Sequence, residues 1–407
     1  MKIHKRHVID NILKYLYRDN IIVLNGARQV GKTYILYYLK NFLVEKGETA
    51  YYIDLEDIRK LQILEKGVDS FLKHLKEEGV YNEKQVFVLI DEIQYLENPS
   101  NFLKLVGDHY KNLRLVVSGS SSFEIRKKFK DSLVGRTVTF DIFNLSFGEF
   151  LEFKEYPYLE GLVFTQPKIE ELKELFIEYT LYGGYPKVVL ETDKEIKEKY
   201  LVQIVDTYIK KDIRDIGNIR DIEKFNKLLE LLASQSGNLL NVSELANSAH
   251  LARPTVEHYL FIMENTYILK LLRPYSNNLR SELFKTPKIF FYDTGLLHML
   301  WLKNLPKSII GNVFETAIFA ELVKRFSKDA VSFWRTVDKK EIDFILRVGS
   351  KFLPIEVKLN FDKARLKTIE FFLDTYKINE YKIVGLNGTP RKDYLYPWEL
   401  STLKEAL

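Results

Sequence analysis

Near the C-terminal end, residues 341–358 run EIDFILRVGSKFLPIEVK, and two carboxylates in this stretch, Asp343 and Glu356, stand where an ordinary sheet disfavours them. IDFILRV and KFLPIEV have the composition of strands, and the Gly349-Ser350 pair between them suits a two-residue hairpin loop with glycine first. Such a loop sets the register. Val348 faces Lys351, and counting outward brings Asp343 opposite Glu356. Alternation then places Ile342, Phe344, Leu346, Val348, Leu353, Ile355 and Val357 on an apolar face and both acids on the other, with Lys358 two residues beyond Glu356. Like charges opposed at roughly 5 Å repel by about 0.8 kcal/mol in water and about 3 kcal/mol at an effective dielectric near 20. Compensation comes either from Lys358 alone or from a divalent cation such as Mg²⁺, which one or two carboxylates hold while waters fill its other positions.

A second constellation lies near the other end. IIVLN (residues 21–25) reads as a short buried strand, GARQVGKT follows, and YILYYLKNFL continues as a helix. This is the complete phosphate-binding loop pattern in its strand, loop, helix context, made of Gly26, Ala27, Arg28, Gln29, Val30, Gly31, Lys32 and Thr33. Gly26 and Gly31 let the backbone approach phosphates, the helix N-terminus adds N–H groups, Lys32 reaches the β- and γ-phosphates of ATP, and Thr33 holds Mg²⁺. VFVLIDEIQ supplies the other half: an apolar strand delivers Asp91 to the Mg²⁺ shell and Glu92 beside it as the base that activates water, which favours hydrolysis over mere binding. A third strand, LRLVVSGSS, ends in hydroxyls, Ser118 among them, placed to sense a γ-phosphate. Arg136 closes LVGR ahead of the strand TVTFDIF, where it either stabilises transferred charge, in cis or in a neighbouring subunit, or is a surface cation. With TAYYIDLED, five strands alternate with helices, which predicts an α/β domain with a parallel sheet and its ligand at the strand C-termini.

The phosphate loop, DEIQ, SGSSS, LVGR and the later LYGGYP (residues 181–186) together resemble the AAA+/STAND-like ATPases of archaea and bacteria that carry an additional C-terminal domain. The resemblance spans nearly the whole chain. It implies the strand order 5-1-4-3-2 and a helical lid whose Gly-x-Pro element, matched by Gly184 and Pro186, approaches the adenine. A plain turn between lid helices explains the same residues.

The middle of the chain, residues 146–221, is rich in Lys and Glu and fits a helical lid and connector. Beyond it, FNKLLELLA, SELANSA and TVEHYLFIMENTYI make three short helices, with Ser243 able to cap the second and Pro254 suited to the first turn of the third. YILKLLRPY and KIFFY pair as a hairpin, completing a winged helix-turn-helix. Arg253, Thr255, Glu257 and His258 occupy the exposed face of its recognition helix, with Arg273, Arg280, Lys285 and Lys288 along the wing; apart from Glu257, an acid that would oppose phosphate, these residues suit contacts to DNA, although in the resembling ATPases winged helices also serve as packing modules.

Upstream of the acidic hairpin, GNVFETAIFAELVKRF is a helix in which Glu315 shares a face with Ile318, Phe319 and Leu322. The strand VSFWR, the hairpin, a helix around LKTIEFFLDTY and the strand YKIVGL complete an αβββαβ order. With Asp343 and the triplet Glu356-x-Lys358, this resembles the PD-(D/E)XK nuclease core, apart from Ile342 where proline often precedes the first acid. The resemblance implies that Asp343 and Glu356 bind Mg²⁺, that Glu315 supports it, and that Lys358 orients the attacking water.

The 407 residues are enough for two or three domains with proper cores, and the chain divides into four segments: an ATPase domain (1–145), lid and connector (146–221), winged helix (222–292) and nuclease-like domain (293–407). A net charge of +5 is compatible with a nucleic-acid partner, and the absence of cysteine rules out disulfides and thiolate metal sites. No apolar run suits a membrane span and no signal-peptide core opens the chain, so a cytoplasmic protein without membrane contact is expected. A homo-oligomer is compatible with Arg136 acting in trans. Two functions follow from these residues. One is an ATP- and Mg²⁺-dependent enzyme that processes DNA. The other is an NTP-driven regulatory switch whose terminal domain binds DNA or protein without cutting.

Overall fold

Unbroken runs of Ile, Val and Leu mark strands covered on both faces. In the computed structural model β1 (Ile21–Gly26) and β3 (Val86–Asp91) are buried at every residue. The structure describes residues 3–81, 84–119, 133, 135–207, 219, 221–275 and 286–403. Ser120, Ser121, Arg280 and Lys285 lie outside the described residues. Two units emerge: Met1–Asn144 with Asn265–Tyr267, and Leu145–Glu264 with Ile268–Leu407. Among the described residues no helix is long and apolar enough to cross a membrane.

In the first unit β2 (Thr49–Asp54), β4 (Leu113–Gly119) and β5 (Thr137–Ile142) join β1 and β3 in an all-parallel sheet ordered β2-β3-β4-β1-β5. From the β5 edge this is 5-1-4-3-2, the order implied by the resemblance. Parallel pairing sends every strand's C-terminus to one edge. The register sets Leu24 beside Ser118 and Ile90 beside Val117, so the loop after β1, the acids at the end of β3 and the Ser118 hydroxyl converge there. The helix Lys32–Glu45 starts directly behind that loop and buries Ile35, Leu36, Leu39 and Leu43.

The second unit is organised around the helix Gly311–Arg325. Ten of its fifteen residues are buried, the pattern of a helix surrounded by protein and not of one with a solvated face. Phe314 meets Phe176 of the helix Gln166–Tyr182 at 6.1 Å between ring centroids. Phe319 stacks on Phe290 at 4.7 Å. Phe290 belongs to β7 (Lys288–Phe291), which pairs antiparallel with β6 (Leu269–Leu272). The helices Ile222–Ser234, Val242–Ala249 and Arg253–Asn265 precede this pair. Their order, three helices and a hairpin, is the expected one, with one local correction. Asn241 caps the second helix by accepting from the Glu244 N–H at 3.2 Å, which leaves Ser243 inside its first turn.

The C-terminal sheet contains β8 (Val331–Arg335), β9 (Glu341–Val348), β10 (Lys351–Asn360), β11 (Lys382–Asn387) and β12 (Tyr394–Leu395), ordered β12-β11-β10-β9-β8. β8, β9 and β10 are antiparallel neighbours, whereas β10, β11 and β12 run parallel. Val348 pairs with Lys351 and Phe344 with Ile355, the register set by the Gly349-Ser350 turn, in which Gly349 has φ 61°. The apolar face is buried as expected except at its tip. Val348 is 37% exposed, because the hairpin end projects past the elements that cover the sheet.

Candidate functional sites

Residues 26–33 wrap from β1 into the helix that follows. Gly31 has φ 96° and Gln29 φ 62°, left-handed conformations that turn the loop. Gly26 is required by the sheet itself, since a Cβ there would lie 2.1 Å from the Ile142 carbonyl oxygen. Arg6, which sequence reasoning missed, clamps the loop by donating from its buried guanidinium to the Val30 carbonyl at 2.7 Å and to that of Phe143 at 2.9 Å. Nothing local to HKRH singles out that arginine. Lys32 is buried and donates to the loop's own Gly26 and Ala27 carbonyls at 3.1 and 2.6 Å. Burial lowers its ammonium to about 8 against the pull of Glu92 and Asp91.

Asp91 is buried and anchored on several sides. Tyr52 of β2 donates to Oδ2 at 3.0 Å, the Ser118 hydroxyl donates to Oδ1, and the Glu92 N–H reaches both Oδ1 (3.2 Å) and Ser118 Oγ (3.3 Å). The Glu92 carboxyl accepts from the Gln94 amide. Burial raises its pKa, opposed chiefly by the charge of Lys32. Tyr52 and Gln94 therefore belong to the site although neither was singled out in advance. Tyr52 was detectable in principle, because it stands one residue before Ile53 on the strand that pairs with β3. Thr33 and Asp91 are the residues that fit Mg²⁺, a hydroxyl and an anchored carboxylate at one sheet edge. Arg28 adds a positive charge felt by Lys32 and Glu92.

Arg136 is placed differently. It precedes Thr137, which pairs with Ile21 at the start of β1, so it sits at the N-terminal edge of a parallel sheet. The phosphate loop is about 17 Å away along the strands. Its guanidinium grips Asp108 with two bonds, 2.7 and 3.2 Å. This separation excludes the role in cis. Gly184 and Pro186 lie in the second unit. The Gly184 N–H donates to Asp293 at 2.8 Å, its carbonyl accepts from Leu145 at 2.7 Å, and Pro186 opens the short helix Pro186–Val189.

In the same unit the acidic hairpin meets two lysines. Lys358 Nζ is 2.7 Å from Glu356 and 3.3 Å from Asp343, and Asp343 Oδ2 also accepts the Val357 N–H at 2.8 Å. Glu315 is not unpaired. Lys288 of β7 bridges it at 3.1 Å and Glu341 at 2.6 Å, and Glu341 also binds Arg335. Lys288 is thus removed from the exposed wing residues, since its ammonium is buried between two carboxylates. Of the other predicted DNA contacts, Arg253, His258 and Arg273 are exposed, Thr255 is half-buried, and Arg253 is paired with Glu257 at 3.0 Å.

The pair Asp343 and Glu356 fits a cation better than Lys358 alone satisfies it. Glu356 Oε2 is buried without a hydrogen-bond partner. Burial, then the Asp343 charge, pushes the Glu356 carboxyl up to about 7 and that of Glu315 up to about 8. Both folded values exceed the ordinary 4.5, so the stabilisation belongs to the protonated forms. It is complete below pH about 4.5 and is lost as pH rises through about 7 to 8. The metal-free protein is expected to lose melting temperature between about pH 5 and 8, and millimolar Mg²⁺ to flatten that slope. Scanning calorimetry with and without EDTA checks both. Among the described residues no three Asp, Glu or His side chains converge as a metal-binding group, although Glu315 feels the Asp343 charge.

Comparison with known proteins follows this division. Residues 18–151 match a family model described as AAA domain, 173–308 one described as a domain of unknown function (DUF8612), and 310–397 another domain of unknown function (DUF4143). Most of the segment similar to an AAA domain thus falls in the first unit. The chain is 28% identical to an uncharacterized protein of Haemophilus influenzae, covering 87% of this chain and 86% of that one. An uncharacterized protein of Methanocaldococcus jannaschii is likewise 28% identical, over 81% of this chain and 73% of that one. Among solved structures, the ORC2 protein of Aeropyrum pernix in its ADP form is similar at 13% identity and TM-score 0.36, covering 67% of this chain and 87% of that one. AMPPCP-bound DnaA from Aquifex aeolicus is similar at 18% identity and TM-score 0.30, covering 63% and 86%.

Proposed function

We propose that this protein binds and hydrolyses ATP, binds DNA, and carries a Mg²⁺-dependent nuclease-like domain at its C-terminal end. The observation that carries the ATPase part is the meeting of Lys32, Asp91 and Glu92 at one edge of the parallel sheet, with Asp91 fixed by Tyr52 and Ser118. The loop N–H groups receive the phosphates, and Lys32 exchanges the Gly26 and Ala27 carbonyls for them. Glu92 takes a proton from the attacking water while Ser118 lies beside the γ-phosphate. Thr33 and Asp91 would hold Mg²⁺, which when bound would supply positive charge against the developing phosphate charge. In an oligomer Arg136 leaves Asp108 to serve a neighbouring nucleotide.

The helix Arg253–Asn265 presents Arg253, Thr255 and His258 to duplex DNA, with Arg273 beside them on the wing of a winged helix. At the acidic hairpin Asp343 and Glu356 hold the metal and Glu315 backs them. Mg²⁺ there would lower the pKa of its bound water. Lys358, already within hydrogen-bond reach of both acids, would orient the attacking water. Incubating varied DNAs with the protein, ATP and Mg²⁺ or Mn²⁺ tests this: wild type cuts, while Asp343→Ala and Lys358→Ala lose cutting by at least about a hundredfold. If wild type leaves every substrate whole, the nuclease part is abandoned.

One observation favours a second reading, an NTP-driven switch whose terminal domain binds without cutting. Lys358 already occupies the space between the acids, which is how a binding scaffold would neutralise them.

A further inference from the structure

The end of β10 carries a feature that neither the metal pair nor the helix Arg253–Asn265 explains. After Asn360 the chain turns through Phe361–Lys363 into the helix Lys367–Tyr376. Phe361 anchors the turn. It is buried against Tyr394 and Tyr396 at 5.2 and 5.4 Å, and a Cβ on Gly385 would lie 2.6 Å from its ring. With the backbone pinned, Lys363, Arg365 and Lys367 all project into solvent.

A second loop joins them. β10 and β11 are parallel with Asn360 beside Asn387, so the segment after β11 leaves from the same sheet edge. The two loops touch, because a Cβ on Gly388 would lie 2.5 Å from Asn360 Oδ1 and 2.9 Å from Asp362 Oδ2. Arg391 and Lys392 follow, both exposed. The rim therefore gathers five exposed cations, four on two contiguous loops and Lys367 at the start of the helix, with two exposed acids, Asp362 and Glu370, in the same segment. Among the described residues no carboxylate pairs with any of the five. The one other acid of the second loop, Asp393, is taken by Lys382 at 3.1 Å.

We infer that this rim is a phosphate-backbone docking surface that lays DNA across the acidic hairpin. The inference rests on the DNA-binding reading proposed above and adds the surface that serves the C-terminal site. Glu356 and Asn360 are four residues apart on one strand, about 13 Å, a span of about four base pairs. A strand gripped at the rim thus passes the acids within half a helical turn. Uncompensated cations on short, anchored loops suit an acceptor of regularly spaced single charges, where Lys and Arg contribute without base readout.

The test is duplex binding by the full chain in EDTA, read as fluorescence anisotropy of a short mixed-sequence duplex from about 50 to 200 mM salt. Lys363→Ala/Arg365→Ala/Lys367→Ala is expected to flatten the log–log salt slope by about 2.7 and to weaken binding on the order of a hundredfold. Arg391→Ala/Lys392→Ala flattens it by about 1.8. All five side chains are exposed, so the far-ultraviolet circular dichroism stays that of wild type. Wild-type slope and affinity in both variants would overturn the proposal. So would a wild type that ignores both duplex and single-stranded DNA, which would assign the rim to an acidic protein partner. Omitting metal keeps this separate from cleavage: a chain that binds through the rim but never cuts upholds the surface while removing the nuclease.

Discussion

Replacing Glu92 with glutamine leaves ATP bound and lowers turnover by about two to four orders of magnitude. The geometry makes this substitution clean. Asp91, not Glu92, is the carboxylate fixed by Tyr52 and Ser118, so the proposed metal position is untouched. The Gln94 amide that now donates to Glu92 still meets a carbonyl oxygen in the variant. What disappears is the ability to accept a proton. Burial raises the Glu92 pKa against the pull of Lys32, which strengthens it as a base. Phosphate release and equilibrium binding of a fluorescent ATP analogue, measured on the same preparation, separate the two effects. Ordinary turnover by the glutamine variant would strip Glu92 of its role. Loss of binding as well would mean that Glu92 shapes the pocket.

Which parts of this molecule can be anticipated follows from how far apart the determining residues lie. The phosphate loop is contiguous, and so is the hairpin whose Gly349 turn fixes Val348 against Lys351. Local chemistry dictates both. The cap of the helix Val242–Ala249 is a near miss of the same kind, since Asn241 and Ser243 compete within one turn and only the backbone decides. Arg136 shows a reading that topology narrows to the role in trans or a surface cation: an arginine just ahead of a strand in a parallel sheet sits at the edge opposite the phosphate loop. The surroundings of Glu315 could not be anticipated. Its partner Lys288 comes from a hairpin earlier in the chain, and the second carboxylate, Glu341, from a strand later on. Only tertiary packing brings three such segments together. Arg6 was invisible for the same reason, acting on a loop far away in sequence.

Substituting methionine for Lys288 is expected to destabilise the second unit by about 3–5 kcal/mol, because it leaves Glu315 and Glu341 buried without their shared cation. Burial alone would lower the ammonium pKa of Lys288, but Glu315 and Glu341 more than reverse this and hold it charged. The lysine also lies 5.6 Å over the Phe333 ring, so methionine keeps part of the packing and isolates the charge. Thermal unfolding is the measurement, with exposed Arg273→Ala as the comparison expected to stay within about 0.5 kcal/mol. A double variant, Lys288→Met/Glu315→Gln, separates the causes. If the penalty comes from an uncompensated carboxylate, removing that charge restores part of the stability, and the two changes are non-additive by at least about 1 kcal/mol. If Lys288→Met is as stable as wild type, the bridge contributes nothing and Glu315 tolerates burial by taking up a proton. In that case the loss appears only at alkaline pH, where the Glu315 carboxyl, raised further once the lowering charge of Lys288 is gone, must ionise.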